Sequence, residues 1–334
     1  MKHKLWVTIL IVAVFVLGGL QDALAGTWTP VSPIPAPLAG GLVRCADDPD
    51  SFYMVGGIRA FIITSNKLYR YDIATDNWER LANIPKATRT AGTTCYEGKI
   101  YVAGGWANKI LDSMFIYDIA SDTWSKGPKL PEPTWGAGLG AWEGKLYLVG
   151  GNRGADNYAA DGQVDVYHIL SRKWTASGAA DMPYPSGFYG FAQAGSYLYV
   201  AGGFTDQFPA NGNHTQRYDM DTDTWTAGPE FTSARAYGTM AVTDSHLYFG
   251  GGDLSGETIA DLTDLVEMLD LSVWPGGAWA DAGFTLPAPN LYTAMTCSET
   301  LGGEIWDVGG VNTGVVPWEL YDEVYYLPIE EGCS

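Results

Sequence analysis

The histidines and cysteines of this 334-residue chain, four of each, are few and widely spread, and its chemistry would have to rest on its 38 Asp and Glu. Past the first segment the histidines are His168, His214 and His246, with no two at metal-ligand spacing and no Cys-x-x-Cys nearby. Asp219-Met220-Asp221-Thr222-Asp223 begins like a calcium loop, but Thr224 stands where that loop needs its glycine, so the segment reads as an ordinary turn. Asp253, Glu257, Asp261 and Asp264 form a denser carboxylate group, able to hold calcium or supply an acid and base pair. In so acidic a chain it reads first as a solvated loop, and no metal or cofactor is expected. Gly136-Ala137-Gly138-Leu139-Gly140 has no helix after it and is no dinucleotide fingerprint, while Asn213-His214-Thr215 fits the N-glycosylation acceptor pattern.

Composition narrows the partners. A formal charge of −19 leaves no basic surface to neutralise phosphates, so nucleic acid and anionic membrane are excluded as partners. With 13% aromatic and 17% charged residues the chain can offset its ordering entropy by burial, and its 42 Gly point to a β fold rich in turns. Residues 1–25 read as a signal peptide: Lys2 and Lys4 precede an apolar run from Leu5 to Leu20, and Ala23-Leu24-Ala25 supplies the cleavage pattern. The expected product is a secreted domain, extracellular, cell-surface or periplasmic, spanning 26–334 with no membrane insertion after cleavage. Cys45, Cys95, Cys297 and Cys333 then permit two disulfides in any of three connectivities.

The elements that must position these residues repeat. A Gly-Gly pair closes a short apolar run at Gly56-Gly57, Gly104-Gly105, Gly150-Gly151, Gly202-Gly203, Gly251-Gly252 and Gly309-Gly310, in steps of 46 to 58 residues. A Trp follows a polar turn at Trp78, Trp124, Trp174, Trp225 and Trp279, often after an aromatic-Asp pair such as Tyr71-Asp72, Tyr117-Asp118 or Tyr218-Asp219. Between Thr90 and Leu130 four short runs are separated by turns such as Glu97-Gly98, which predicts four antiparallel strands per unit. These glycine, Tyr and Trp markers resemble the kelch repeat over residues 27 to 327. The resemblance implies an all-β, six-bladed β-propeller of four-stranded antiparallel blades. The last unit lacks its Trp strand, and Thr27-Trp28-Thr29-Pro30 has that strand's pattern, so the N-terminal strand is expected to close the ring.

Strand alternation sends the connections after strands two and four to one face and the tight turns to the other. The first face therefore carries the long loops, where function usually resides. It gathers Arg59, Arg89, Trp106, Trp135, Arg153, Phe188, Tyr189, Phe204, Arg235, Tyr237 and Tyr292 as candidate ligand contacts. Flat rings with a few polar edges suit a sugar or an extended peptide. The four Cys fall on the opposite face and read as structural staples. Some kelch-type propellers are copper-radical oxidases, but the ligand set cannot be assembled from the loop residues here. The expected function is a non-catalytic binding module for carbohydrate or an extracellular protein. The alternative is a sugar-active enzyme similar to the sialic-acid mutarotases, with Arg235, Arg153, Asp253 or Glu257 in the site. A structural protein of an envelope or matrix is a third class.

Overall fold

A computed structural model describes residues 27–329, apart from 37, 60–62, 155–158, 207–209, 257–260, 301 and 313–318, together with 331–333. The expected signal peptide and Glu257 lie outside the described residues. Six four-stranded antiparallel blades form a propeller. Blade 1 comprises Ala39–Cys45, Asp48–Arg59, Leu68–Asp72 and Asn77–Arg80; blade 2 comprises Gly92–Tyr96, Lys99–Ala103, Met114–Asp118 and Thr123–Lys126. Blade 3 holds Gly138–Trp142, Lys145–Val149, Val164–His168 and Lys173–Thr175, and blade 4 holds Gly190–Ala194, Tyr197–Ala201, Thr215–Asp219 and Thr224–Ala227. Blade 5 is built from Thr239–Val242, His246–Gly250, Leu265–Asp270 and Ala280–Thr285. Blade 6 takes Ala294–Ser298, Glu304–Asn312 and Glu319–Pro328 from the C-terminal end and Thr29–Pro30 from the other, with Thr29 opposite Tyr326 and Pro30 opposite Tyr325. The ring is closed by the N-terminal strand.

The repeated markers are the joints between blades. In each glycine pair both residues have positive φ, as at Gly104 (69°) and Gly105 (90°), where a β-carbon is strained. A β-carbon on Gly104 would also lie 2.2 Å from the Thr134 carbonyl oxygen of the next blade's entry segment. That close approach lets Gly105 N–H donate to the same oxygen at 2.8 Å, and Gly57, Gly151, Gly203 and Gly252 do likewise to Thr88, Ser186, Arg235 and Asn290. The Tyr and Trp markers form a second latch. Tyr71, Tyr117 and Tyr218 donate to Asp76, Asp122 and Asp223, whose carboxylates also accept the backbone N–H of Ser32, Ala82 and Ala180 in the segment entering that blade. Trp78, Trp124 and Trp225 return a bond to the carbonyls of those three residues. Blade 3 carries Arg172 in place of the Asp, and there the Trp174 indole N–H is buried without a partner.

The core is a ring of interblade layers rather than one centre. Residues facing back from one blade meet those facing forward from its neighbour, as Leu146 and Leu148 of blade 3 meet Tyr101 and Ala103 of blade 2. On the turn face Cys45–Cys95 joins blades 1 and 2, and Cys297–Cys333 ties the tail to blade 6. In that tail Glu331 accepts from Tyr248 at 2.6 Å and lies 2.9 Å from His246 Nδ1, so the tail also holds blade 5. The structure chooses one of the three connectivities left open by the cysteine count.

Candidate functional site

Immediately before the innermost strand of five blades the chain passes through one residue of positive φ: Thr90, Gly136, Phe188, Tyr237 and Tyr292. This bend turns each entry segment over the channel mouth. Backbone bonds run from blade to blade there, Gly136 N–H to Thr90 O at 2.9 Å, Phe188 N–H to Gly136 O at 2.8 Å and Tyr237 N–H to Phe188 O at 2.7 Å. The sequence markers do not reveal this belt, because its φ angles fall on four different residue types.

On the belt stands a continuous run of rings. Trp106 and Trp135 lie 5.0 Å apart, Trp135 meets Phe188 edge-on at 4.7 Å, Phe188 meets Tyr237 at 5.0 Å, and Tyr237 meets Tyr292 at 4.9 Å. These edge-to-face and tilted contacts are the favoured aromatic geometries. Phe204 underlies the run, 2% exposed, at 5.9 Å from Phe188 and 5.1 Å from Tyr237. The Arg89 guanidinium sits 6.0 Å from the Trp106 ring, at the reach of a cation–π contact. Burial pushes the Tyr237 and Tyr292 hydroxyls up, Tyr292 to about 12, so both are neutral donors and acceptors at physiological pH. Below the mouth lies a cavity of ≈ 230 Å³, walled by residues including Ile58, Arg89, Thr93, Phe191, Thr239 and Thr293. The threonines and Ile58 were not singled out from the sequence, since nothing in a period-2 strand pattern says which face meets the channel.

Seven of the expected contacts therefore come together: Arg89, Trp106, Trp135, Phe188, Phe204, Tyr237 and Tyr292. Arg59 stands apart, exposed at the end of its strand. Tyr189 lines the channel, but its hydroxyl clamps blades 3 and 4, donating to Val149 O and accepting Gly138 N–H at 2.7 Å. Two expectations are corrected. Arg153 and Arg235 are 2% and 0% exposed, ion-paired with Asp165 at 2.5 Å and Glu267 at 2.7 Å, because each neutralises a carboxylate inside a blade. Neither guanidinium faces the mouth.

The acidic loop is also reread. Asp253 is fully buried and its carboxylate accepts the Ser255 hydroxyl and the N–H groups of Gly256 and Asp261, so it organises its own loop. Asp219 accepts the backbone N–H of Asp221, as a turn residue does, and Glu230, the twelfth residue from Asp219, lies 3.0 Å from His214. In the glycosylation pattern Asn213 donates to Phe231 O at 3.2 Å and Thr215 is fully buried. Among the described residues no three His, Cys, Asp or Glu side chains converge as a metal cluster, and no helix is long and apolar enough to cross a membrane.

Six blades, glycine-pair joints and Tyr–Asp–Trp latches define a six-bladed propeller of the kelch type. Residues 52–266, more than half of the chain, match the model of the Attractin/LZTR1 beta-propeller, and the chain belongs to that family. It is 28% identical over 283 residues to "Kelch-like protein terF" of Aspergillus terreus, covering 74% of this chain and 60% of that one. It is 27% identical over 176 residues to "Beta-scruin" of Limulus polyphemus, covering 50% of this chain and 18% of that one. The chain thus spans less than two thirds of the length of these relatives. A solved structure titled "Structure of YjhT" superposes with a TM-score of 0.74 at 14% identity, covering 90% of this chain and 97% of that one, a likeness of fold. The two disulfides fit an oxidising environment.

Proposed function

We propose that this chain is an exported, non-catalytic binding module that takes a segment of an extracellular protein into its aromatic mouth. The observation that carries this reading is the ring run from Trp106 to Tyr292, half-exposed at Trp106, Trp135, Tyr237 and Tyr292 and bordered by Arg89. Rigid aromatic surface with one cation beside it is the composition of interaction hot spots. The kelch-type fold supports a protein-interaction role and leaves the partner to the loops. Carbohydrate is the second reading, favoured by the hydroxyl-bearing residues Thr90, Thr93 and Thr239 in the lining of the same cavity. The mutarotase-like alternative loses Arg153 and Arg235, which are buried in ion pairs.

The test is binding by the purified protein beside a Trp106→Ala/Trp135→Ala variant, by cell-surface crosslinking and on a glycan array. A partner crosslinked by the wild type and lost by the variant supports the protein reading, and glycan binding lost in the same way supports the second. Equal capture by both proteins overturns the placement of the site at the mouth.

A further inference from the structure

Beside the glycine pair, five blades place an apolar side chain where the second strand faces the preceding blade: Met54, Val102, Leu148, Val200 and Phe249. Blade 6 places Asp307 there, 4% exposed. The third-strand residues paired with these positions are Tyr69, Phe115, Asp165, Gln216, Glu267 and Tyr325. Blades 3, 5 and 6 thus each carry a carboxyl in this layer.

In blades 3 and 5 a guanidinium neutralises it. Arg153 reaches Asp165 from the loop after its own second strand, and Arg235 reaches Glu267 from the segment entering the blade. Asn290 is the counterpart of Arg235, since the carbonyls of both receive the second glycine of the preceding blade. Its side chain is too short to fill the guanidinium's place and carries no charge. Among the described residues no Lys, Arg or His pairs with Asp307, whose bond is from the Thr293 hydroxyl.

What stands there instead is a cavity of ≈ 60 Å³ lined by Asn290, Asp307, Tyr321, Glu323 and Tyr325, with Pro287 at its edge. Asn290 is 2% exposed and its Oδ1 is buried with no hydrogen-bond partner. Asp307 and Glu323 flank Tyr325 on one face of the blade, because Asp307 is paired with Tyr325 and side chains two apart share a face. A buried carboxyl with a single donor, the Thr293 hydroxyl, and an Asn290 Oδ1 with none belong to residues lining one cavity, an arrangement that costs stability unless a cation completes it.

We propose that this cavity binds a hard divalent cation, with calcium as its type, held by Asp307, Glu323 and Asn290 Oδ1. The donors are all oxygen, which favours calcium or magnesium over zinc or copper. The volume admits an ion with about one water, given about 30 Å³ per water molecule. With two carboxylates the affinity belongs in the weak range of extracellular modules, Kd about 10⁻⁴–10⁻³ M.

The experiment is thermal unfolding of the chelator-treated full protein at pH 8 with added calcium or magnesium, alongside terbium luminescence excited through the tyrosines. The wild type should gain about 2–4 °C at about 10 mM calcium, with saturable terbium emission. Asp307→Leu, which supplies the apolar residue of the other blades, should lose both signals, with Asp307→Asn as the substitute if the leucine variant does not fold. An Asp261→Asn/Asp264→Asn variant should keep both. Absence of any shift and emission in the wild type overturns the proposal, as does a full response in the Asp307 variants.

Discussion

Blade 5 and blade 6 are built on the same joint and treat a buried carboxyl in opposite ways. In blade 5 Glu267 is enclosed by Arg235 at 2.7 Å and by the Thr232 hydroxyl at 2.6 Å, and the guanidinium also donates to Phe249 O and lies 4.5 Å from the Phe249 ring. In blade 6 Asp307 has the Thr293 hydroxyl and a cavity. Burial without a countercharge pushes its carboxyl up to about 7. A complete ion pair makes the layer of blade 5 a structural unit, whereas the incomplete one in blade 6 leaves a place for a ligand.

The largest effect should come from breaking blade 5. Arg235→Met strands Glu267 in the core and should cost about 3–5 kcal/mol in urea unfolding, with Arg235→Met/Glu267→Leu recovering most of it. A loss no larger than that of a surface substitution would mean that the pair is as dispensable as an exposed one.

Next in size is the pH response of blade 6 without cations. Because the folded-state pKa of Asp307 lies above the ordinary value of 3.8, the native state binds the extra proton and stability falls as pH rises from about 4 to about 7. Relative to Asp307→Leu, the wild type in chelator should lose roughly 2–4 kcal/mol across that interval and stay level above it. The other groups around Asp307 are the exposed Glu323 carboxyl and the hydroxyls of Tyr325 and Thr293, and the hydroxyls stay neutral there. A constant difference between the two proteins would show that Asp307 is solvated.

A smaller change should follow from making blade 6 resemble blade 5. Asn290→Arg should raise the melting temperature by a few degrees in chelator, as expected of about 1 kcal/mol, and remove the calcium response. The smallest effect on stability belongs to the mouth. Trp106→Ala/Trp135→Ala removes half-exposed rings outside the interblade layers and should cost under about 1 kcal/mol while abolishing partner capture. A collapse of the fold would instead make these rings part of the frame.

The frame was legible because each repeat states it again. Gly104-Gly105, Tyr117, Asp122 and Trp124 do in blade 2 what their counterparts do elsewhere, and the joint needs those residue types for close approach, a hydroxyl donor, a carboxylate and an indole N–H. The mouth was legible in part. Trp106 and Trp135 stand out as aromatics in loops, but the same reasoning brought in Arg153 and Arg235, since an arginine in a loop looks alike whether it points to solvent or inward. Asp165 and Glu267, which turn them inward, sit in strands where alternation predicts an apolar residue, and the partners are 12 and 32 residues away.

Residue types at repeated spacing determined the six blades, the closure by Thr29–Pro30 and the face to which the long loops go, because those features follow from local strand alternation and from a joint that recurs from blade to blade. Only the tertiary structure decided which cysteines pair, which arginines are consumed in the core and that Asp307 faces a cavity. Each of these depends on a side chain meeting a residue far away in sequence, and charge and size alone do not record who the neighbour is.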